Sequence, residues 1–173
     1  MIRYRAPTLA DMLPLAELGR TSFVDAFAHL YSTEDLEQFL RESKSDDVVA
    51  GQLANPKFIF HIAERDGDMV GFCKLGLESS FTVDLGGRKA MELANLYLRG
   101  AETGGGVGSA LLEWAISEAR ARDYDMIVLS VWQGNHAAQR FYRRYGFEWL
   151  MDTVFIVGKQ VDQEFLFALD LRR

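Results

Sequence analysis

The sequence predicts a mixed α/β (α+β) fold, one sheet covered by helices, and three observations carry that expectation. Several short runs are apolar, alternating or rich in β-branched residues, as strands are. Other stretches place apolar residues three and four apart, as amphipathic helices do. The two kinds are interleaved: from Met91 onward the order reads strand, helix, strand, helix, strand, strand.

With 173 residues, the chain 1–173 is expected to form a single domain with a sizeable core. Hydrophobic residues at 49% and charged residues at 25% match an ordinary soluble globular protein. A net charge of −6 argues against nucleic acid as the main partner. No apolar run reaches the ~18 residues of a membrane span, and no basic apolar leader opens the chain, so no membrane association and a cytoplasmic location are expected. Cys73 is the single cysteine and lies in an apolar run, which reads as a small buried hydrophobe.

Ile2 to Arg5 alternates and stops before Pro7, as a short edge strand does. Thr8 resembles an N-cap; Leu9, Met12, Leu13, Leu15, Ala16 and Leu18 follow at helical spacing, with Pro14 a local disturbance. Phe23, Phe27 and Tyr31 recur at four-residue intervals, which suits core packing and also the wall of an acceptor pocket. Thr33 is expected to cap a second helix with Leu36, Phe39 and Leu40 on its apolar side and Glu34 and Asp35 in its first turn. A third helix is expected from Asp46 to Leu53, ended by Asn55-Pro56. Phe58 to Ala63 and Met69 to Leu77 form a hairpin around Asp66-Gly67. Ser79 to Arg88 reads as a loop, Met91 to Leu98 as the next strand, and Asp125 to Trp132 as another. His136 to Tyr145 is a short helix, and Phe147 to Val157 and Phe165 to Leu171 are the last two strands.

The stretch from Leu96 to Leu112 organises the rest. A strand runs into Thr103-Gly104-Gly105-Gly106-Val107-Gly108-Ser109, and a helix opens there with Val107, Ala110, Leu111, Trp114 and Ala115 on one face. Glycines strip side chains from the turn and leave bare N–H groups at a helix N-terminus, where a phosphate or pyrophosphate is well placed. The same glycines also suit a plain tight turn. No Gly-Lys-Ser/Thr follows, so the loop is not a P-loop, and the glycine spacing does not match the dinucleotide fingerprint.

Further on, Asn135 is a good N-cap, Ala138, Phe141, Tyr142 and Tyr145 share helical spacing, and Gly146 suits the C′ position. Together the two segments resemble the GNAT superfamily of N-acetyltransferases. Its acyl-CoA loop is matched at Thr103 to Gly108, with Thr103 where the family usually has Gln or Arg; its later motif is matched at Asn135, Ala138, Phe141, Tyr142, Gly146 and Phe147. The wording of Glu92 to Leu98, Leu129 to Trp132 and Phe155 to Gly158 is similar to the branch of PaiA-like polyamine N-acetyltransferases.

The resemblance implies a GNAT-type, mostly antiparallel mixed sheet, splayed between its fourth and fifth strands and flanked by helices. It implies direct transfer of an acetyl group from acetyl-CoA to an amine through a tetrahedral intermediate, with no metal. The N–H groups of Gly104, Gly105, Gly106, Val107, Gly108 and Ser109 would hold the pyrophosphate, with Thr103 beside them. Leu96, Tyr97 and Leu98 would offer strand-edge groups to the pantetheine arm and the thioester carbonyl. Asn135 would bond the pantetheine or serve as a cap, with Ala138 and Phe141 lining the same site. Tyr142 would be the general acid. Glu92, placed by alternation with Ala94, Leu96 and Leu98, would be the base through a water or else a salt-bridge partner, with Glu78 in reserve. Phe23, Phe27, Tyr31 and the Ser79 to Arg88 loop would border the acceptor, a polyamine or other small primary amine first and a protein N-terminus or lysine second. His29, His61 and His136 show neither metal-ligand nor triad spacing. A silent acyl-CoA-binding module is the competing class, favoured by Thr103 and opposed by Tyr142. A homodimer through the C-terminal strands fits the family fold.

Overall fold

Among the described residues seven strands and five α-helices account for most of the chain. The computed structural model describes residues 1–172. The strands are β1 (Ile2–Arg5), β2 (Phe58–Arg65), β3 (Asp68–Gly76), β4 (Ala90–Leu98), β5 (Met126–Trp132), β6 (Glu148–Val157) and β7 (Gln160–Asp170). The helices are α1 (Met12–Phe27), α2 (Thr33–Ser43), α3 (Asp46–Ala54), α4 (Val107–Ala121) and α5 (His136–Arg144).

The strands form one sheet in the order β1-β2-β3-β4-β5-β7-β6. Every neighbouring pair is antiparallel except β4 and β5, which are parallel and pair only from Ala90–Met126 to Glu92–Val128. Beyond Glu92 the two strands separate while β4 stays bonded to β3 and β5 to β7. The mixed, mostly antiparallel and splayed sheet is the one the resemblance implied.

Apolar faces fix the layers. Val107, Leu111, Leu112, Ala115 and Ala119 bury the stripe of α4 against Cys73, Leu75, Met91 and Leu93 on one face of the sheet. Leu15, Ala16, Leu18 and Val49 bury α1 and α3 against Phe60, Ile62, Met69 and Phe72 on the other. Cys73 is fully buried, as its apolar run implies, and burial pushes its thiol far above the ordinary range.

Local chemistry moves some boundaries. Thr8 caps a 3-10 turn, Leu9–Asp11, by donating its N–H to Asp11 Oδ2 at 2.7 Å, so α1 starts only at Met12. Pro14 therefore occupies the first turn of α1, where a missing N–H costs no helical bond, and it disturbs nothing. Ser32, not Thr33, caps α2: its Oγ accepts from Asp35 N at 3.1 Å. β7 starts five positions before the expected Phe165, because Gln160 to Glu164 is polar and conceals a strand whose Asp162 is buried.

β6 is an edge strand, and its Trp149, Val154 and Ile156 are exposed. Among the described residues, no helix is long and apolar enough to cross a membrane.

Candidate active site

Where β4 parts from β5, the sheet opens into a cleft of about 960 Å³. One end is built from the α4 N-terminus and α5, the other from α1, α2 and the inward face of β7.

At the first end, Gly104 and Gly106 adopt φ of +84° and +86°, a left-handed conformation that a Cβ makes costly. Gly106 is the N-cap of α4. A Cβ at Gly108 would meet Leu98 Cδ1 at 3.3 Å, so glycine lets the helix start come down onto β4. Gly105 N donates to Glu102 O at 3.2 Å and is thus already engaged, which corrects its expected place among the anion donors. Among the described residues no carbonyl engages the amides of Gly104, Gly106, Val107, Gly108 or Ser109. Those five donors gather at the positive end of the α4 dipole. The Val107 side chain is core, while Thr103, Gly104, Gly106, Gly108 and Ser109 border the cleft.

Leu96, Tyr97 and Leu98 also border it, on the stretch of β4 that no longer pairs with β5. Asn135, Ala138, Phe141 and Tyr142 close the wall from α5. Asn135 Oδ1 accepts from Ala138 N at 3.1 Å, so the cap role is filled. Gln139, buried and unforeseen from the sequence, donates to Trp132 O at 3.2 Å and Gln133 O at 2.8 Å and so ties α5 to the end of β5. Tyr142 packs its ring on Phe141 and Phe147 and borders the cleft. Burial holds its pKa well above the ordinary phenol range.

Glu92 is not where alternation would put it. A bulge leaves Ala94 without a partner, since Lys74 pairs with Asn95 and Leu75 with Leu93. Met91 and Leu93 consequently share the α4 face with Leu96 and Leu98, and Glu92 falls on the opposite face. Its Oε2 accepts from Ser80 N at 2.6 Å, and it is not among the residues that border the cleft. Glu78 is exposed and paired with Lys57 at 2.9 Å.

The far end is aromatic and charged. Phe23 is nearly buried and lies against Phe27, Tyr31, Phe39 and Phe155 at centroid separations of 4.7–6.5 Å. Phe23, Phe27 and Tyr31 thus serve packing and cleft wall at once. Tyr31 donates to Asp162 Oδ2 at 2.5 Å. Burial, then that bond, push its pKa upward. Burial also raises the Glu164 carboxyl, with Ser130 bonding against the rise and the Asp162 charge adding to it. On the other wall Lys44 caps the end of α2, with Nζ 5.4, 5.9 and 5.1 Å from the ring centres of Phe23, Phe39 and Tyr97. Burial, reinforced by Lys74, lowers the Lys44 pKa to about 8. Burial lowers that of Lys74 as well, opposed by Glu92. None of Lys44, Lys74, Asp162 or Glu164 was legible as a site residue.

His61 stacks on Trp114 at 4.4 Å and His29 lies edge-on to Trp132 at 5.7 Å. Among the described residues no group of three His, Cys, Asp or Glu side chains could hold a metal ion.

The model of the acetyltransferase (GNAT) family matches residues 21–147. A crystal structure of PaiA N-acetyltransferase from Thermoplasma acidophilum in complex with coenzyme A is similar with a TM-score of 0.79 and 25% identity, over 98% of this chain and 99% of that one. An uncharacterized N-acetyltransferase of Lactobacillus delbrueckii subsp. lactis is 29% identical over 156 residues, 90% of each chain. The spermidine N(1)-acetyltransferase of Thermoplasma acidophilum is 27% identical over 151 residues, 85% of this chain and 88% of the relative.

Two outcomes are expected. Gly106→Ala strains the left-handed N-cap and costs about 1 kcal/mol of stability; calorimetry should show coenzyme A binding weakened at least several-fold. Lys44→Met should stabilise the protein at pH 7 by on the order of 2 kcal/mol, because the native state then no longer holds a desolvated ammonium. In the wild type the folded pKa is about 8 and lies below the unfolded value of 10.5, so stability rises as pH climbs through that window. The advantage of the variant should therefore shrink between those pH values, as read by urea denaturation.

Proposed function

The chain belongs to the acetyltransferase (GNAT) family, and from that premise we propose that it transfers the acetyl group of acetyl-CoA directly to the primary amine of a small molecule. The observation that carries this reading is the row of five unengaged amides at the α4 N-terminus, opening onto the unpaired stretch of β4 and, across it, onto the Tyr142 phenol.

Each step makes a demand that a group in the cleft meets. The diphosphate needs fixed donors, which Gly104, Gly106, Val107, Gly108 and Ser109 supply from the main chain. Arg140 and Arg144, bordering the same end, add positive charge. The amide-rich arm suits the free edge of Leu96 and Leu98 by strand addition, and an N–H of that edge polarises the thioester carbonyl. The amine lone pair then bonds to the carbonyl carbon and the carbon–sulfur bond breaks. The departing sulfur takes its proton from Tyr142, whose raised pKa keeps it a phenol at neutral pH, and the proton shed by the newly acylated nitrogen restores that phenol.

The amine must lose a proton to attack. Glu164 is our candidate acceptor of that proton in place of Glu92, since it borders the cleft and its raised pKa brings it nearer neutrality. A polyamine acceptor is the second reading. The spermidine-acetylating relative and the Asp162–Glu164 wall favour it. A homodimer belongs to the same proposal, with the exposed apolar side chains of β6 as its contact.

Thiol release from acetyl-CoA with a panel of amines tests the assignment. Tyr142→Phe should lower kcat about 10²–10⁴-fold while coenzyme A still binds. Glu164→Gln should lower kcat/KM more than Glu92→Gln and remove the acidic limb of its pH profile; the opposite ranking returns the base to Glu92.

A further inference from the structure

Building on the acetyl-transfer reading, we infer that the acceptor is a zwitterion, a small amine that also carries an oxyanion group, carboxylate or phosphonate, which Lys44 and Lys74 receive.

Among the described residues the two lysines are unusual in being half-buried with no carboxylate within ion-pair range. Arg5, Arg20, Lys57 and Arg65 each meet a carboxylate within 3 Å. Among the described residues Lys44 Nζ meets no carboxylate and makes no hydrogen bond; it lies over the three rings around it. Lys74 Nζ donates to the neutral Gln52 Oε1 at 3.2 Å and lies 5.3 Å from the Phe58 ring centre. Both border the same cleft, close enough that the Lys74 ammonium adds to the lowering of the Lys44 pKa. Glu92 acts on Lys74 only from beyond ion-pair range, its carboxylate being taken by Ser80 N. Two half-buried like charges without a counter-ion are expensive to hold. A bound oxyanion would relieve that expense with two charge-assisted hydrogen bonds.

The opposite charge stands across the cleft, unused by the lysines. Asp162 is taken by Tyr31 and Gln160, and Glu164 lies by Ser130, near enough to Tyr97 to raise its pKa. Lys44 lies over the ring of that same Tyr97. One aromatic side chain thus separates a cationic wall from an anionic one. A ligand with an amine at one end and an oxyanion at the other complements both walls. A polycation would bring further positive charge against two unpaired ammonium groups. The phosphates of the donor have their own donors beyond Leu98, on the α4 N-terminus, and do not need these lysines.

The test compares β-alanine and aminomethylphosphonate with ethylamine, ethylenediamine and spermidine, by thiol release and by calorimetry in the presence of coenzyme A. The anionic amines should show kcat/KM at least tenfold higher than the others, with the better of the two naming the oxyanion. Lys44→Met and Lys74→Met should each reduce that preference about tenfold, mainly through KM, and Lys44→Arg should retain most of it; coenzyme A affinity verifies that each variant is folded. Ethylamine or spermidine used as well as the anionic amines, or a preference that survives both methionine variants, overturns the inference and leaves acetyl transfer standing. If no amine is turned over yet the anionic amines bind wild type and not the methionine variants, the oxyanion site holds and the acetyl-transfer reading falls. If they neither bind nor react, the inference fails.

Discussion

The brevity of the β4–β5 pairing governs the rest of the structure. Three residue pairs join the strands, and then each keeps its outer partner and gives up the inner one. An open wedge inside a sheet leaves backbone donors and acceptors facing a cavity, which a protein sustains only where something else meets them. Here the wedge is bordered by the α4 N-terminus, with its own unengaged amides, and by α5, pinned to the end of β5 through Gln139. The cleft is therefore a stretch of incomplete secondary structure, and the complement it lacks is an extended, amide-bearing, phosphate-headed molecule.

The two ends of that cleft obtain their polarity differently. At the α4 end it comes from the main chain: glycines in the left-handed region and a close approach at Gly108 bring N–H groups forward without side chains. At the aromatic end it comes from side chains held partly out of water, where burial shifts Lys44 and Lys74 downward and Glu164 and Tyr31 upward. These shifts oppose folding at neutral pH in the case of the lysines, so packing elsewhere must offset them. The buried stripes of α1 and α4 on the two sheet faces are where that offset is available.

This division explains what could be read from the chain in advance. The strand–glycine–helix unit, the α5 motif, the hairpin and the layering follow from local spacing, and the structure repeats them. Glu92 was misplaced because one extra residue, Ala94, breaks a period of two, and nothing in the side-chain pattern announces a bulge. The start of β7 was missed because its inward residues are the polar ones, Asp162 and Glu164, facing the cleft where a core strand would show apolar side chains. Lys44 follows a helix and Lys74 interrupts an apolar strand; only the fold shows that they meet. Gly105 is indistinguishable from its neighbours in sequence, and only the turn geometry bonds its amide to Glu102 O.

From the same division follows an asymmetry between donor and acceptor. A main-chain site survives any change that preserves glycine at a few φ values, so sequences far apart can keep one donor and announce it by motif. A side-chain site changes with each substitution on α1, α2, β3 or β7, and these elements are constrained mainly by packing. Phe23 illustrates the point: it is nearly buried for the sake of the α1 face, yet it also forms the floor beneath the Lys44 ammonium. If the acceptor is the proposed zwitterion, exchanging that lysine alone would turn a surface suited to anions toward neutral or cationic amines, without disturbing the helix it follows. On the proposed reading the acceptor is set by a few charges placed on a scaffold that exists for other reasons, and the charge balance of the far wall guides the choice of amines to test where the motifs that identify the family do not.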